Sequence, residues 1–130
     1  METLTLVAHD RIGLLLEITE VLSREKINIE SISLEVVGRK AMMRILVEKA
    51  KIHKAKELLS KHGFKVVESD TIVIKLRDRS GELSKVAKIL TDAGISVESL
   101  QVIEKHRGEA LDSLRVSDPE KAKKLLSPYL

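Results

Sequence analysis

Two stretches of this sequence have the same form, DRIGLLLEI at residues 10–18 and DRSGELSKV at residues 78–86. The second lies 68 positions after the first (78 − 10 = 68). Each stretch follows a run in which apolar and polar residues alternate, and each opens a segment with apolar residues at helical spacing. Because the same order of elements is present twice within 130 residues, the chain is expected to fold as two similar units.

The strand and helix patterns recur in the two copies at this offset. Residues 3–8 and 71–76 alternate between apolar and polar side chains, which is typical of strands with one buried face. The helical segments that follow carry apolar residues along one side. These residues are Leu15, Ile18, Val21 and Leu22 in the first copy and Leu83, Val86, Ile89 and Leu90 in the second. Each copy therefore begins with a strand and an amphipathic helix.

A second matching pair, INIESI at residues 27–32 and ISVESL at residues 95–100, changes the phase of its apolar residues at a Glu-Ser pair. A one-residue slip inside an alternating strand predicts a β-bulge or bend, here at Glu30-Ser31 and at Glu98-Ser99. Turn residues at 37–40 and 106–109 then predict a hairpin into a third strand in each copy.

The two copies differ at their ends. A second helix follows each hairpin, and in the second copy Asp118-Pro119 predicts the N-cap and first turn. A fourth strand, at residues 64–68, is predicted only in the first copy. The order βαββαβ predicts the α+β class, with two ferredoxin-like sandwiches in which two helices cover one face of an antiparallel sheet and the second copy lacks its last strand. The expected domains are residues 1–69 and 70–130.

Composition limits the kinds of site that are available. Hydrophobic residues make up 43% of the chain, which is enough for a core, and the absence of cysteine excludes disulfides and thiolate metal sites. The net charge of +3 is a weak bias. The N-terminal run is unlike a signal peptide, and no segment reaches the roughly 18 apolar residues of a membrane span. A cytoplasmic protein without membrane contact is therefore expected.

The element order, with D-R-x-G-x-L opening the first helix and I-x-[IV]-E-S at the second strand, resembles the ACT domain, in tandem across the whole chain. Members of this family are small regulatory modules that bind amino acids and related metabolites. The resemblance implies that modules pair, and that a ligand lies between the loop after the first strand of one module and the start of the second strand of its neighbour. By position, the implied ligand-binding residues are Asp10, Ile12, Gly13, Asn28 and Ile29 in the first copy and Asp78, Ser80, Gly81, Ser96 and Val97 in the second.

We call residues 10–13 the first joint and residues 78–81 the second joint. Their place at a helix start also has a physical interpretation that does not depend on the resemblance. A helix start exposes unpaired N–H groups and the positive end of the helix dipole, which favours a ligand carboxylate. An aspartate beside it could pair with an ammonium group. Two alternatives stay open: Asp10 and Asp78 could only cap their helices, and Gly13 and Gly81 could relieve crowding between helix and sheet.

The first hypothesis for function is allosteric regulation by a bound amino acid in a homodimer or larger homo-oligomer. The alternative is a regulatory subunit that docks onto a partner enzyme without a ligand. RNA binding ranks lower, because the basic run at residues 48–65 is accompanied by only two aromatic residues in the chain, Phe64 and Tyr129. No motif indicates catalysis, a cofactor or a metal site. The protein is therefore expected not to be an enzyme.

The second copy departs from the family pattern at several positions. Its joint is more charged, its fourth strand is missing, and Asp112 stands where Met43 faces the core of the first copy. The first joint is therefore expected to be the better ligand site.

Overall fold

A computed structural model describes residues 1–130, which divide into two compact units, Met1–Val67 and Glu68–Leu130. The backbone is helical or extended over most of both units. None of the four α-helices has the length and apolar character needed to cross a membrane.

The first unit is a four-stranded antiparallel sheet with two helices. Its elements are β1 (Glu2–His9), α1 (Leu14–Arg24), β2 (Ser31–Val37), β3 (Lys40–Val47), α2 (Ile52–Lys61) and β4 (Lys65–Val66), with a 3₁₀ turn at Lys49–Lys51. The strands lie in the order β2-β3-β1-β4, so β2 and β4 form the two edges. The fourth strand is present as predicted, but it is only two residues long.

The second unit repeats this plan without the last strand, as predicted. Its elements are β5 (Thr71–Arg77), α3 (Glu82–Asp92), β6 (Val97–His106), β7 (Glu109–Val116) and α4 (Pro119–Leu125), followed by a 3₁₀ turn at Ser127–Tyr129. The strand order is β5-β7-β6, and both pairings are antiparallel. The predicted cap of α4 is also present, since Asp118 accepts a hydrogen bond from the Lys121 N–H.

Each unit has its own hydrophobic core, because alternate strand residues and one side of each helix meet. In the first unit, even-numbered residues of β1 and odd-numbered residues of β3 provide the face of the sheet that the helices cover. Its core includes Leu4, Leu6, Leu14, Ile18, Leu22, Met43, Ile45, Ala55 and Leu59. The second core includes Ile72, Ile74, Leu76, Val86, Leu90, Leu114, Val116, Ala122 and Leu126. Burial of each large aliphatic side chain contributes about 1.5–3 kcal/mol.

The predicted phase slip has different consequences in the two units. In the second unit the register of β6 against β7 shifts between Val97 and Ser99, which confirms a bulge at Glu98. In the first unit the second of the two predicted outcomes is present: the chain bends at Glu30, and β2 begins at Ser31, after the slip, and pairs with β3 in unbroken register without a bulge. The slip there marks the start of the strand, because the residues before it belong to the connection from α1.

A further irregularity of β6 was not predicted. Its register against β7 shifts a second time between Val102 and Glu104. The extra residue changes which β6 side chains share a face with the helices beyond Val102. It also explains why Met43 and Asp112 are not 68 positions apart in the sequence, although they occupy the same register position.

Candidate functional site

The two joints have the same backbone geometry. In the first, the Asp10 N–H donates to the Arg39 carbonyl at 2.8 Å, and Gly13 precedes α1 with a φ of 87°. In the second, the Asp78 N–H donates to the Gly108 carbonyl at 2.8 Å, and Gly81 precedes α3 with a φ of 87°. Each joint is therefore fixed to the hairpin of its own sheet before the helix begins.

The structure decides against both structural alternatives for these residues. Gly13 and Gly81 are themselves the N-caps, and no side chain caps either helix, so the interpretation of Asp10 and Asp78 as helix caps is wrong. Crowding does not explain the glycines either, because a Cβ atom at either position would meet nothing within 4 Å. Their left-handed conformation does explain them, since other residues adopt a φ of this sign at a cost.

The uncapped helix start leaves polar groups available at the first joint. The first α-helical hydrogen bond there runs from the Glu17 N–H to the Gly13 carbonyl. The N–H groups of Leu15 and Leu16 make no hydrogen bond within the protein. Together with the positive end of the helix dipole, they favour the binding of an anion such as a carboxylate.

The two aspartates differ in their side-chain partners. The Asp10 carboxylate is exposed and makes no hydrogen bond or ion pair. Asp78 Oδ1, in contrast, lies 3.1 Å from Lys105 Nζ. The arginines that follow are also paired, Arg11 with Glu17 and Arg79 with Glu82. Only the first joint therefore presents an unpaired carboxylate beside an uncapped helix.

The first joint is also surrounded by more exposed apolar surface. The Ile12 side chain is fully exposed, and Leu15 and Leu16 are exposed to 47% and 61%. At the corresponding positions the second joint has two serines, Ser80 and Ser84, beside Leu83. Because exposed clusters of large apolar side chains often mark binding surfaces, this difference also favours the first joint.

The structure does not bring the remaining predicted residues to the joints of their own units. Asn28 and Ile29 precede β2, whereas the first joint lies at the other end of that strand, beside the β2–β3 hairpin. Seven residues of extended chain separate the two places by roughly 20 Å. Ser96 and Val97 likewise lie at the start of β6, far from the second joint. Within a single unit, the two halves of the predicted site therefore lie at opposite ends of the edge strand.

Most of the predicted residues at the starts of β2 and β6 already have contacts within their own unit. Asn28 is exposed and donates to Glu30 Oε1 at 2.9 Å, and Ile29 packs against the first core. The Ser96 N–H donates to Ser117 Oγ at 3.0 Å, while Val97 is exposed.

Three charged residues of the second unit, Glu82, Lys105 and Asp112, take the places of apolar residues of the first unit, and only Asp112 was expected. Glu82 replaces Leu14 of the first unit, and hydrogen bonding from Arg79 holds the pKa of its carboxyl below the usual value. Burial raises the pKa of Asp112, an effect that Lys105 opposes and Asp78 reinforces. The sequence signal for Lys105 was the break in the common offset after Val102, which alone does not identify the residue.

The structure also bears on two other kinds of site, a metal site and a nucleic-acid-binding surface. No group of three or more histidine and acidic residues is arranged to hold a metal ion. Phe64 is buried in the first core and Tyr129 packs against the second, so neither aromatic ring lies open on a sheet for base stacking.

The fold, the repeated joint and the element order are those of two βαββαβ modules in tandem, and comparison with known proteins identifies the family. The sequence model of the ACT domain matches residues 3–64 and 71–127. The chain therefore belongs to the ACT domain family and carries two copies of the domain. The comparison with curated proteins gives no match.

The chain is also similar to several solved structures. One is a protein from Bacteroides thetaiotaomicron, with 25% identity over 97% of this chain and 85% of that chain and a TM-score of 0.48. Another is the ligand-free regulatory subunit of aspartate kinase from Thermus thermophilus, with 15% identity, coverage of 97% and 90%, and a TM-score of 0.46. A third is the ACT domain of prephenate dehydrogenase from Bacillus anthracis, with 25% identity, coverage of 51% and 100%, and a TM-score of 0.47. The family assignment rests on the two sequence matches.

Proposed function

We propose that this protein is a regulatory sensor that binds an amino acid at its first joint. The observation that carries the proposal is the uncapped start of α1 beside the unpaired Asp10 carboxylate. The N–H groups of Leu15 and Leu16 would hold the carboxylate of the ligand, and Asp10 would pair with its ammonium group. Ile12 would contact an apolar side chain.

A second module would complete this site. β2 is an edge strand, and its residues Ile32, Leu34 and Val36 are exposed apolar side chains. Antiparallel pairing of two such edges would place the start of one β2 strand beside the end of the other. Asn28 and Ile29 of one module would then approach the joint of its neighbour. We therefore propose a homo-oligomer in which ligand occupancy changes the strength of this pairing, which would be the allosteric signal.

A second candidate function is that of a regulatory subunit that docks onto a partner enzyme and binds no ligand. The exposed apolar row on β2 favours this candidate as well, since a partner could cover the same edge. Nucleic-acid binding ranks below both, because the two aromatic rings are engaged in the cores. In all of these roles the protein would be a cytoplasmic non-enzyme without a cofactor.

A thermal-shift screen against the standard amino acids tests the proposal. An amino acid present at about 100 times its dissociation constant should add roughly 2.7 kcal/mol to the free energy of unfolding. Asp10→Asn removes the charge that would pair with the ammonium group, so it should reduce that stabilisation to less than half. The matched control is Asp78→Asn in the second joint, which should leave the stabilisation unchanged.

Two results would count against the proposal. If no amino acid raises the melting temperature, the docking subunit becomes the better reading of this chain. If an amino acid stabilises the parent protein and both asparagine variants equally, the ligand binds away from the first joint.

A further inference from the structure

The two units differ in a pair of residues at one corner of the sheet. Ala41 pairs with both Ala8 and Val36 in the first unit, and Ala110 pairs with both Leu76 and Lys105 in the second. Lys105 thus occupies the register position of Val36.

Asp112 likewise occupies the register position of Met43, since Leu6 pairs with Met43 and Ile74 pairs with Asp112. Two apolar residues of the first unit are therefore replaced together by a lysine and an aspartate.

The second irregularity of β6 is what brings Lys105 to this face of the sheet. Val102 pairs with Asp112, and strict alternation would give Glu104 the next place on the same face. The register shift between Val102 and Glu104 moves that place to Lys105. The lysine consequently shares a face with Asp112 and lies at the end of the sheet where the second joint begins.

Lys105 forms an ion pair at the joint, and its charge also acts on a carboxyl group in the core. Its Nζ atom is 3.1 Å from Asp78 Oδ1, at the position where the first joint leaves Asp10 unpaired. Its charge also stabilises the ionised form of Asp112, which is only 3% exposed and whose Oδ1 atom has no hydrogen-bond partner.

We propose that Lys105 stands in for the ammonium group of a ligand at the second joint, so that this joint is closed to amino acids and only the first joint binds them. The inference rests on the proposed function and names the residue that makes the two sites unequal. An exposed ion pair alone would be displaced easily by a ligand. Lys105 has a further role at its position, because loss of its charge would also destabilise the ionised form of Asp112.

This inference is tested by exchanging the residues at these two register positions between the units. Binding is then measured by calorimetric titration with the standard amino acid that stabilises the parent chain most. The parent should bind a single equivalent per chain. The variant with Lys105→Val and Asp112→Met, the residues of the first unit, should bind a second equivalent. The reciprocal variant, with Val36→Lys and Met43→Asp, should bind the amino acid at least about tenfold more weakly, which corresponds to about 1.4 kcal/mol.

A matched control removes a lysine–aspartate pair elsewhere in the second unit. Lys88 Nζ and Asp92 Oδ2 form an exposed pair on α3, 3.0 Å apart. The variant with Lys88→Val and Asp92→Met should keep the stoichiometry of the parent. Circular dichroism of every variant checks that its secondary structure is retained.

A measurement without ligand distinguishes failure of this inference from failure of the proposed function. Lys105→Met should raise the pKa of Asp112 further, as followed by carboxyl NMR, because the charge that opposes the effect of burial is lost. An unchanged pKa would overturn the inference, as would binding of a second equivalent by the parent or its absence in the exchanged variant. If no chain binds any amino acid, the proposed function fails together with the ligand-excluding role of Lys105, while the pKa still reports whether Lys105 and Asp112 interact.

Discussion

At the scale of single residues, Asp112 shows how a charge is accommodated in a position that a core normally fills with an apolar side chain. Its neighbours in the register are Ile74 and Val102, and the first unit has Met43 at the same place. Removal of the carboxylate from water favours its neutral form, and Lys105 only partly offsets this effect. The folded protein therefore holds a proton on Asp112 more tightly than the unfolded chain does.

This difference predicts a pH dependence of stability. Because the pKa of Asp112 is raised by folding, the free energy of unfolding should fall as the pH rises from the ordinary pKa of an aspartate through the raised one. Asp112→Asn removes this contribution. The variant should therefore gain stability relative to the parent as the pH increases across that window, as measured by urea unfolding at a series of pH values. A stability difference that does not vary with pH would contradict the prediction.

At the scale of the elements, the starts of α1 and α3 share the same backbone geometry. Both helices begin after a glycine in the left-handed conformation, and both lack a capping side chain. The hydrogen bonds from Asp10 and Asp78 to the hairpins fix the chain before each glycine. The position of the helix start is thus set by backbone geometry, which in α1 leaves the N–H groups of Leu15 and Leu16 without a hydrogen-bond partner in the protein.

Substitution at this helix start should cost stability through backbone strain alone. Gly13→Ala should lower the free energy of unfolding by about 1–2 kcal/mol, since the new Cβ meets no neighbour but disfavours the left-handed conformation. Gly13→Asn should cost less, because asparagine tolerates this conformation better. Ser84→Ala, on the exposed side of α3, is a control expected to change stability by less than about 0.5 kcal/mol. Equal urea midpoints for the parent and Gly13→Ala would contradict this account.

At the scale of the whole molecule, the feature with the largest consequence for assembly is the exposed strand edge of each sheet. β2 and β6 are edges of their sheets, and both carry exposed apolar residues, which include Leu34 and Leu100. Exposed edges of this kind favour pairing with another strand, since their N–H and C=O groups and apolar side chains are otherwise left to water. This is the physical basis for the proposed homo-oligomer.

A charge on the edge of the first unit should weaken that assembly. Leu34→Asp would place two carboxylates close together if two β2 strands pair, so light scattering should show a shift from dimer to monomer. Leu125→Asp, at a similarly exposed position on α4, should leave the molar mass unchanged; the exposed fractions are 40% and 38%. A parent protein that stays monomeric at high concentration would exclude the assembly through β2.

The sequence by itself determined the two units, the order of their elements and the truncation of the second sheet. These features follow from local patterns, because the alternation of strands, the spacing of helices and the turn residues of hairpins each depend on neighbours along the chain. The comparison of one copy with the other also identified both joints, and it indicated that Asp112 replaces Met43.

Only the tertiary structure decided where the residues of the candidate site lie relative to one another. It showed that the helices begin at Gly13 and Gly81 and not at the aspartates, and that the two halves of the predicted site lie at opposite ends of each edge strand. It also paired Lys105 with Asp78 through a register shift, which the break in the offset between the copies indicated but did not locate. These features depend on hydrogen bonds between strands that are distant in sequence, and a single added residue in one strand changes which side chains meet.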